Sequence, residues 1–230
     1  MRKVQNLGDH RNKGRCVHCG AAQETVDHNP SRVFLDTPLP PDIPASPACT
    51  SCNNGFSADE AYTACLIECA ATVSCEPDGV ERPKIAALLR RDPALRALMS
   101  AARRDGPEGP LWQFDQERIS RIIVKLARGH AAFEMNEPQT QEPARVTFVP
   151  LVSLTEEQLA SFEDDLPEMG FYPEIASRAF NRIGVADGKI VFPGWLTVQE
   201  GRYRYAVRQA PGMWVRMVIR EYLACEVIWG

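Results

Sequence analysis

Two Cys-x-x-Cys pairs constrain the N-terminal part of this 230-residue chain more than any other feature. They are Cys16 with Cys19 and Cys49 with Cys52, and 29 residues separate the two pairs. Two cysteines at this spacing can place both thiolates on one metal ion, and a second pair completes the tetrahedron that zinc prefers. Gly20, directly after the first pair, favours a tight turn of the backbone there. Because four sulfurs leave no open position on the metal, we predict a structural zinc ion.

The eight cysteines are expected to be thiols or metal ligands rather than disulfides. The N-terminal segment lacks the apolar core of a secretory signal, and no apolar run reaches the ~20 residues that span a bilayer. We therefore expect a cytoplasmic protein with no membrane partner, in a compartment where disulfides are rare. Buried or redox-active cysteines and an iron–sulfur cluster are the alternatives to zinc.

Three regions follow one another along the chain, and together they predict an α+β protein. Residues 1–75 hold both cysteine pairs and are expected to form a zinc-binding module. Residues 76–140 show helical periodicity. Residues 141–230 are rich in aromatic and β-branched residues, which indicates antiparallel strands with short helices between them. The Ala-Pro-Gly sequence at 210–212 predicts a turn between two of these strands.

Local signals predict where two helices begin. Ser57 and Glu60 have the spacing of a capping box, so a helix is predicted from Ala58 to about Thr72. A longer amphipathic helix is predicted from Asp115 to about Met135. His130 lies on its apolar face and is expected to be a packed histidine.

An aspartate–histidine pair, Asp27 and His28, lies between the two cysteine pairs and shortly before Pro30, and Asn53 directly follows the last cysteine. The pattern C-x2-C-G … D-H-x-P … C-x2-C-N within residues 12–70 resembles the HNH nucleases of the ββα-metal superfamily. It is most similar to their four-cysteine, zinc-binding branch, which includes phage junction-resolving endonucleases. The resemblance implies a module of two strands and a helix in the N-terminal region, and hydrolysis of DNA phosphodiester bonds.

The resemblance also implies a role for each of these side chains. Asp27 and Asn53 would bind a catalytic Mg²⁺ or Mn²⁺ ion, and His28 would be the general base. Histidine can deprotonate water near neutral pH, and the oxygens of aspartate and asparagine suit magnesium. Family members often carry a further histidine or lysine after this asparagine, whereas residues 54–56 supply none. Asp59 is therefore the next candidate ligand for the catalytic ion.

The net charge of −4 argues against a uniformly basic surface, so any contact with nucleic acid must come from a local patch. Arg11, Lys13 and Arg15 precede the first cysteine, and Arg32 follows the aspartate–histidine pair. We predict that these residues contact the phosphates of a nucleic acid. The charged stripe along residues 118–128 is instead expected to be a solvated helix face.

These features predict a metal-dependent HNH-type endonuclease that cleaves DNA and carries structural zinc and catalytic magnesium or manganese. The alternative is a non-catalytic zinc-binding module that binds protein or nucleic acid. The strands of the C-terminal half are expected to contact a substrate, a protein partner or a second copy of the chain, and the sequence does not choose among these.

Overall fold

The computed structural model describes residues 12–107, 109–187 and 189–230. Its helices and strands are, in chain order, β1 (Thr25–His28), β2 (Ala45–Ala48), α1 (Thr50–Gly55), α2 (Ser57–Thr72), α3 (Pro83–Arg91), α4 (Pro93–Ala102), β3 (Arg103–Gly106), β4 (Gly109–Trp112), α5 (Gln116–Met135), β5 (Arg145–Pro150), α6 (Glu156–Asp164), α7 (Arg178–Asn181), β6 (Gly184–Ala186), β7 (Lys189–Val191), β8 (Leu196–Gln199), β9 (Tyr203–Gln209), β10 (Met213–Ile219) and β11 (Leu223–Trp229). This mixture confirms the predicted α+β class. Arg11, one of the predicted phosphate contacts, lies outside the described residues.

The N-terminal hairpin consists of β1 and β2, which pair antiparallel so that Asp27 is opposite Ser46 and His28 is opposite Ala45. Side chains alternate between the two faces of β1: Asp27 is buried and His28 is partly exposed. The helices α1 and α2 follow β2 directly. The N-terminal region thus has two antiparallel strands followed by helices, which is the order of elements that the resemblance implies there.

The start of α2 differs from the prediction. The predicted capping box is wrong, because Ser57 is the first residue of the helix, Phe56 is its N-cap, and no side chain caps it. The Glu60 carboxylate instead accepts a hydrogen bond from Ser31 Oγ at 2.5 Å and lies 2.8 Å from Lys125 Nζ. Glu60 therefore belongs to a polar cluster beside the hairpin rather than to the helix end.

The long helix α5 packs against α2, against the hairpin strand β2 and against the C-terminal sheet. Its N-cap, Asp115, accepts a hydrogen bond from a backbone N–H of the first turn, and its apolar face is buried, as predicted. His130 is fully buried, and its Nε2 lies 2.9 Å from the Tyr203 hydroxyl. Gly129 permits the close approach of α5 to the hairpin, because a Cβ atom there would lie 2.0 Å from Asn29 Oδ1.

The C-terminal sheet has five antiparallel strands in the order β5-β11-β10-β9-β8. Residues 210–212 connect β9 to β10, which confirms the predicted turn. At Gly212 the turn leaves no space for a side chain, because a Cβ atom would lie 1.7 Å from the carbonyl oxygen of Trp229. One buried apolar cluster takes residues from α2, α5 and this sheet. None of the helices in the described part of the chain is long and apolar enough to cross a membrane.

Candidate metal centre

The two predicted cysteine pairs come together in the structure. The Sγ atoms of Cys16, Cys19, Cys49 and Cys52 all lie within 4.8 Å of one another. Cys19 Sγ is 3.7 Å from Cys49 Sγ, which matches the separation of about 3.8 Å expected for thiolates arranged tetrahedrally ~2.3 Å from zinc. Among the described residues this is the one group of three or more Cys, His, Asp or Glu side chains close enough to hold a metal. The number, type and spacing of its donors fit one zinc ion.

Backbone turns place both pairs of sulfurs. Gly20 has a φ of +76°, and its N–H donates to the carbonyl oxygen of Cys16 at 2.8 Å, so the predicted tight turn is confirmed. Cys49 follows β2 as the N-cap of α1, and its sulfur accepts a hydrogen bond from the Cys52 N–H. This bond lowers the pKa of the Cys49 thiol. It therefore favours the thiolate, which is the form that binds metal.

Asp27 is buried near the cysteine cluster, and both of its carboxylate oxygens have partners. Oδ2 accepts a hydrogen bond from His18 Nε2 at 3.0 Å, because an ionised carboxylate has no proton to donate. Oδ1 accepts a hydrogen bond from Lys125 Nζ at 2.7 Å. Burial alone would raise the pKa of Asp27, but the hydrogen bonds and charges of these two partners lower it below its ordinary value. Asp27 is therefore an ionised side chain whose charge is balanced from within the protein.

Lys125 lies at the centre of this buried polar cluster. Its Nζ is 2.7 Å from Asp27 Oδ1, 2.6 Å from Ser31 Oγ and 2.8 Å from Glu60 Oε1, and its side chain is 0% exposed. The contacts with Asp27 and Ser31 are hydrogen bonds, and the contact with the Glu60 carboxylate is an ion pair. The prediction that residues 118–128 form a solvated face is therefore wrong at Lys125.

His28 lies on the opposite face of β1 from Asp27, since successive strand residues alternate. Its Nε2 is 3.1 Å from a guanidinium nitrogen of Arg32, and because a guanidinium only donates, Nε2 is the acceptor and carries a lone pair. Burial and the positive charge of Arg32 lower the pKa of His28, which favours the neutral imidazole. Arg32 itself is exposed, and no carboxylate of the described residues pairs with it.

The other predicted ligands of the catalytic ion lie in α1 and α2. Asn53 is half-buried in α1, and its side chain makes no hydrogen bond with any residue that the structure describes. Asp59 is bound through both oxygens, to Arg118 Nε at 2.6 Å and to an Arg121 nitrogen at 2.8 Å. No hydrogen bond or ion pair within the described residues joins Asn53 to the aspartate–histidine pair.

The magnesium ion that the resemblance implies does not fit these side chains as they are arranged. Magnesium requires several oxygen ligands in near-octahedral geometry. Asp27 and Asp59 direct both oxygens toward nitrogen donors, and only Asn53 keeps an unpaired side-chain oxygen. A divalent cation on Asp27 Oδ1 would also meet the Lys125 ammonium, 2.7 Å from that oxygen, and would be repelled by it.

Two of the predicted phosphate contacts, Lys13 and Arg15, lie before the first cysteine, where Lys13 is partly exposed and Arg15 is exposed. Arg32 has a second cation beside it, because Lys84 Nζ donates to the backbone oxygens of Arg32 and Leu35 at 2.7 and 2.8 Å. We call this pair of cations the Arg32–Lys84 surface. It adjoins the accessible side of His28, and the sequence alone did not identify the contribution of Lys84.

Sequence reasoning missed four members of the polar cluster: His18, Ser31, Glu60 and Lys125. A local signal was available for His18, which lies between the first two cysteines and 9 residues before Asp27. Nothing local marks Lys125, which is 98 residues away from Asp27 in the sequence.

Comparison with known proteins finds no match of this chain to any protein-family model, curated protein or solved structure.

Proposed function

We propose that this chain is an HNH-type endonuclease that hydrolyses phosphodiester bonds of DNA, with His28 as the general base and a zinc ion holding the module together. One observation carries the proposal. The Nε2 lone pair of His28 faces an exposed guanidinium, that of Arg32, which has no carboxylate partner among the described residues. A base beside an unpaired cation is the combination that phosphodiester hydrolysis requires, because the cation attracts the phosphate and the base activates water.

The contact between His28 and Arg32 also suggests how binding prepares the base. A phosphate oxygen is a better acceptor for a guanidinium than a neutral imidazole is, since hydrogen bonds between charged groups are stronger. A DNA phosphate that takes the N–H of Arg32 would therefore release the Nε2 lone pair of His28. Lys84, anchored on the backbone of Arg32, adds positive charge to the same surface.

The proposed step conserves atoms and charge. The oxygen of a water molecule forms a bond to phosphorus, and one proton of that water passes to Nε2 of His28. The bond between phosphorus and one sugar oxygen breaks, and the departing oxygen takes a proton from solvent. Magnesium or manganese has no part in this step, because the side chains implied as its ligands do not fit the ion as they are arranged.

A second candidate function is a non-catalytic, zinc-stabilised module that binds DNA or a protein. The observation that favours it is the occupation of both Asp27 oxygens by nitrogen donors of His18 and Lys125. If phosphodiester hydrolysis on this scaffold requires a metal at Asp27, a chain with this arrangement would bind without cleaving. The C-terminal strands would then supply the contact with a protein partner or a second copy of the chain.

Cleavage assays separate the two functions. Zinc-loaded wild type is incubated with supercoiled plasmid, single-stranded DNA and branched DNA, with magnesium, with manganese and with neither, and zinc content is measured in every sample. We expect His28→Gln, which keeps an acceptor for Arg32 but cannot take the proton, to cleave about 100-fold more slowly or worse. Arg32→Gln should weaken both binding and cleavage. Arg91→Gln, at an exposed arginine of α3, is the matched control and should behave as wild type.

Equal cleavage by wild type and His28→Gln would contradict the assignment of the base. Binding of DNA without cleavage of any substrate would contradict the nuclease and support the second candidate. Loss of activity in Arg91→Gln as large as that in Arg32→Gln would show that only total charge matters, and would contradict the role of the Arg32–Lys84 surface.

A further inference from the structure

We infer that the ammonium group of Lys125 is the permanent cation of the Asp27 carboxylate and takes the place of a divalent metal ion. The relevance of this inference to catalysis rests on the proposed function. Asp27 and Lys125 meet on the buried face of β1, the strand that also carries the proposed base, His28. Its direct consequence is that Asp27 binds neither Mg²⁺ nor Mn²⁺ in the zinc-loaded protein.

Three oxygen atoms surround the Nζ ammonium of Lys125 at short distances. Asp27, Ser31 and Glu60 each place one oxygen between 2.6 and 2.8 Å from the nitrogen. Ser31 also donates its own proton to Glu60 at 2.5 Å, so its oxygen is oriented to accept from Lys125. Lys125 therefore donates hydrogen bonds to Asp27 and Ser31 and forms an ion pair with Glu60, and the two carboxylates stabilise one positive charge inside the protein.

Displacing this ammonium would be costly. The side chain of Lys125 is fully buried, and its neighbours Val124 and Leu126 in α5 are buried as well. A buried charge without a partner is strongly destabilising. Lys125 is also held at the cluster by its own helix, so it competes as an intramolecular group, whereas a metal ion competes from dilute solution.

Ions from solution can nevertheless reach the neighbourhood of the cluster. A cavity of about 660 Å³ is lined by His18, Cys52 and Lys125, and its wall also carries Arg121 and Arg128. The wall also carries the carboxylates of Glu117 and Glu142, the second of them paired with Arg128, so the positive and negative charges of the cavity largely offset one another. Failure of a metal to bind at Asp27 would thus reflect the charges present there and not a closed path.

The test measures metal binding and the state of the lysine directly. Full-length zinc-loaded protein is titrated with Mn²⁺, and the free ion is followed by electron paramagnetic resonance. Wild type, Asp27→Asn and the matched control Asp78→Asn, at an exposed acid, should bind Mn²⁺ within about twofold of one another. Lys125→Met should bind at least about tenfold more tightly than wild type, because Asp27 and Glu60 then face the space that the ammonium occupied.

A second readout uses nuclear magnetic resonance of lysine ammonium groups. The buried Nζ of Lys125 should give a protected ¹⁵N–¹H signal that is absent in Lys125→Met and is not quenched by Mn²⁺ in wild type. If the methionine variant does not fold, this signal and the comparison of wild type with Asp27→Asn decide the matter alone.

Wild type that binds Mn²⁺ about tenfold more tightly than Asp27→Asn would overturn the inference. Quenching of the Lys125 signal by Mn²⁺, or a folded Lys125→Met with no gain in affinity, would overturn it as well. None of these measurements requires DNA cleavage. A chain that cuts no DNA but keeps the protected Lys125 signal contradicts the proposed function and supports the inference.

Discussion

His130 makes the stability of this protein sensitive to mild acid. The imidazole is fully buried in α5, its Nε2 bonds to the Tyr203 hydroxyl, and its ring stacks on Tyr205 with the centroids 3.8 Å apart. Burial, together with the positive charge of Lys125, lowers the pKa of His130 to about 3. The histidine is therefore neutral in the folded protein at every pH at which the protein is normally handled.

The unfolded chain behaves differently, because a solvated histidine titrates near pH ~6.5. Below that pH the unfolded chain takes up a proton that folded His130 does not bind until the pH approaches about 3. The contribution to stability is therefore complete above about pH 6.5 and is lost progressively as the pH falls below it. Between about pH 7 and pH 5 one such histidine lowers the free energy of unfolding by about 2 kcal/mol. For a chain of this size that is a fall of about 4–8 °C in the melting temperature.

Thermal unfolding of wild type and His130→Gln, followed by circular dichroism in excess zinc, measures this effect. Glutamine keeps a hydrogen-bonding partner for Tyr203 but does not titrate. Between about pH 7 and pH 5, the free energy of unfolding of the variant should therefore fall by about 2 kcal/mol less than that of wild type. Both proteins carry the same cysteines, so loss of zinc in acid affects them equally. His28→Gln is the control at a less buried histidine and should change the acid sensitivity less. The same fall in melting temperature for wild type and His130→Gln would refute the reasoning.

Substitutions at four other positions test the metal centre and the packing around it. Cys49→Ser should reduce bound zinc well below the one ion per chain expected by elemental analysis of wild type, and full retention of zinc would contradict the four-sulfur site. Gly129→Ala should destabilise the protein by about 1–3 kcal/mol in urea, because the new Cβ meets Asn29; unchanged stability would contradict the close approach of α5. Lys125→Met should cost about 3–5 kcal/mol, and Asp27→Asn in the same chain should recover part of it, whereas additive losses would contradict the ion pair.

Features that depend on neighbours in the chain could be predicted from the sequence. The Cys-x-x-Cys spacing and Gly20 specify a turn that gathers two sulfurs, and the structure has that turn. Thr155, directly before α6, is the N-cap of that helix, and its side chain accepts a hydrogen bond from the Gln158 N–H. The same type of signal failed at Ser57, because Glu60 is drawn to Lys125 and Ser31 instead. A local motif therefore predicts local structure only where no distant side chain competes for its members.

The role of Asp27 depends on such a distant side chain. Lys125 follows Arg121 by one turn of α5, so helical periodicity places both side chains on the same side of the helix. Arg121 is exposed and Lys125 is buried, and only the docking of α5 on the hairpin distinguishes the two. That docking depends on a backbone position without a side chain, Gly129, which lies against Asn29. The motif thus brings Asp27 to a place where a cation is required, and the packing of a helix 98 residues further along the chain decides which cation it is.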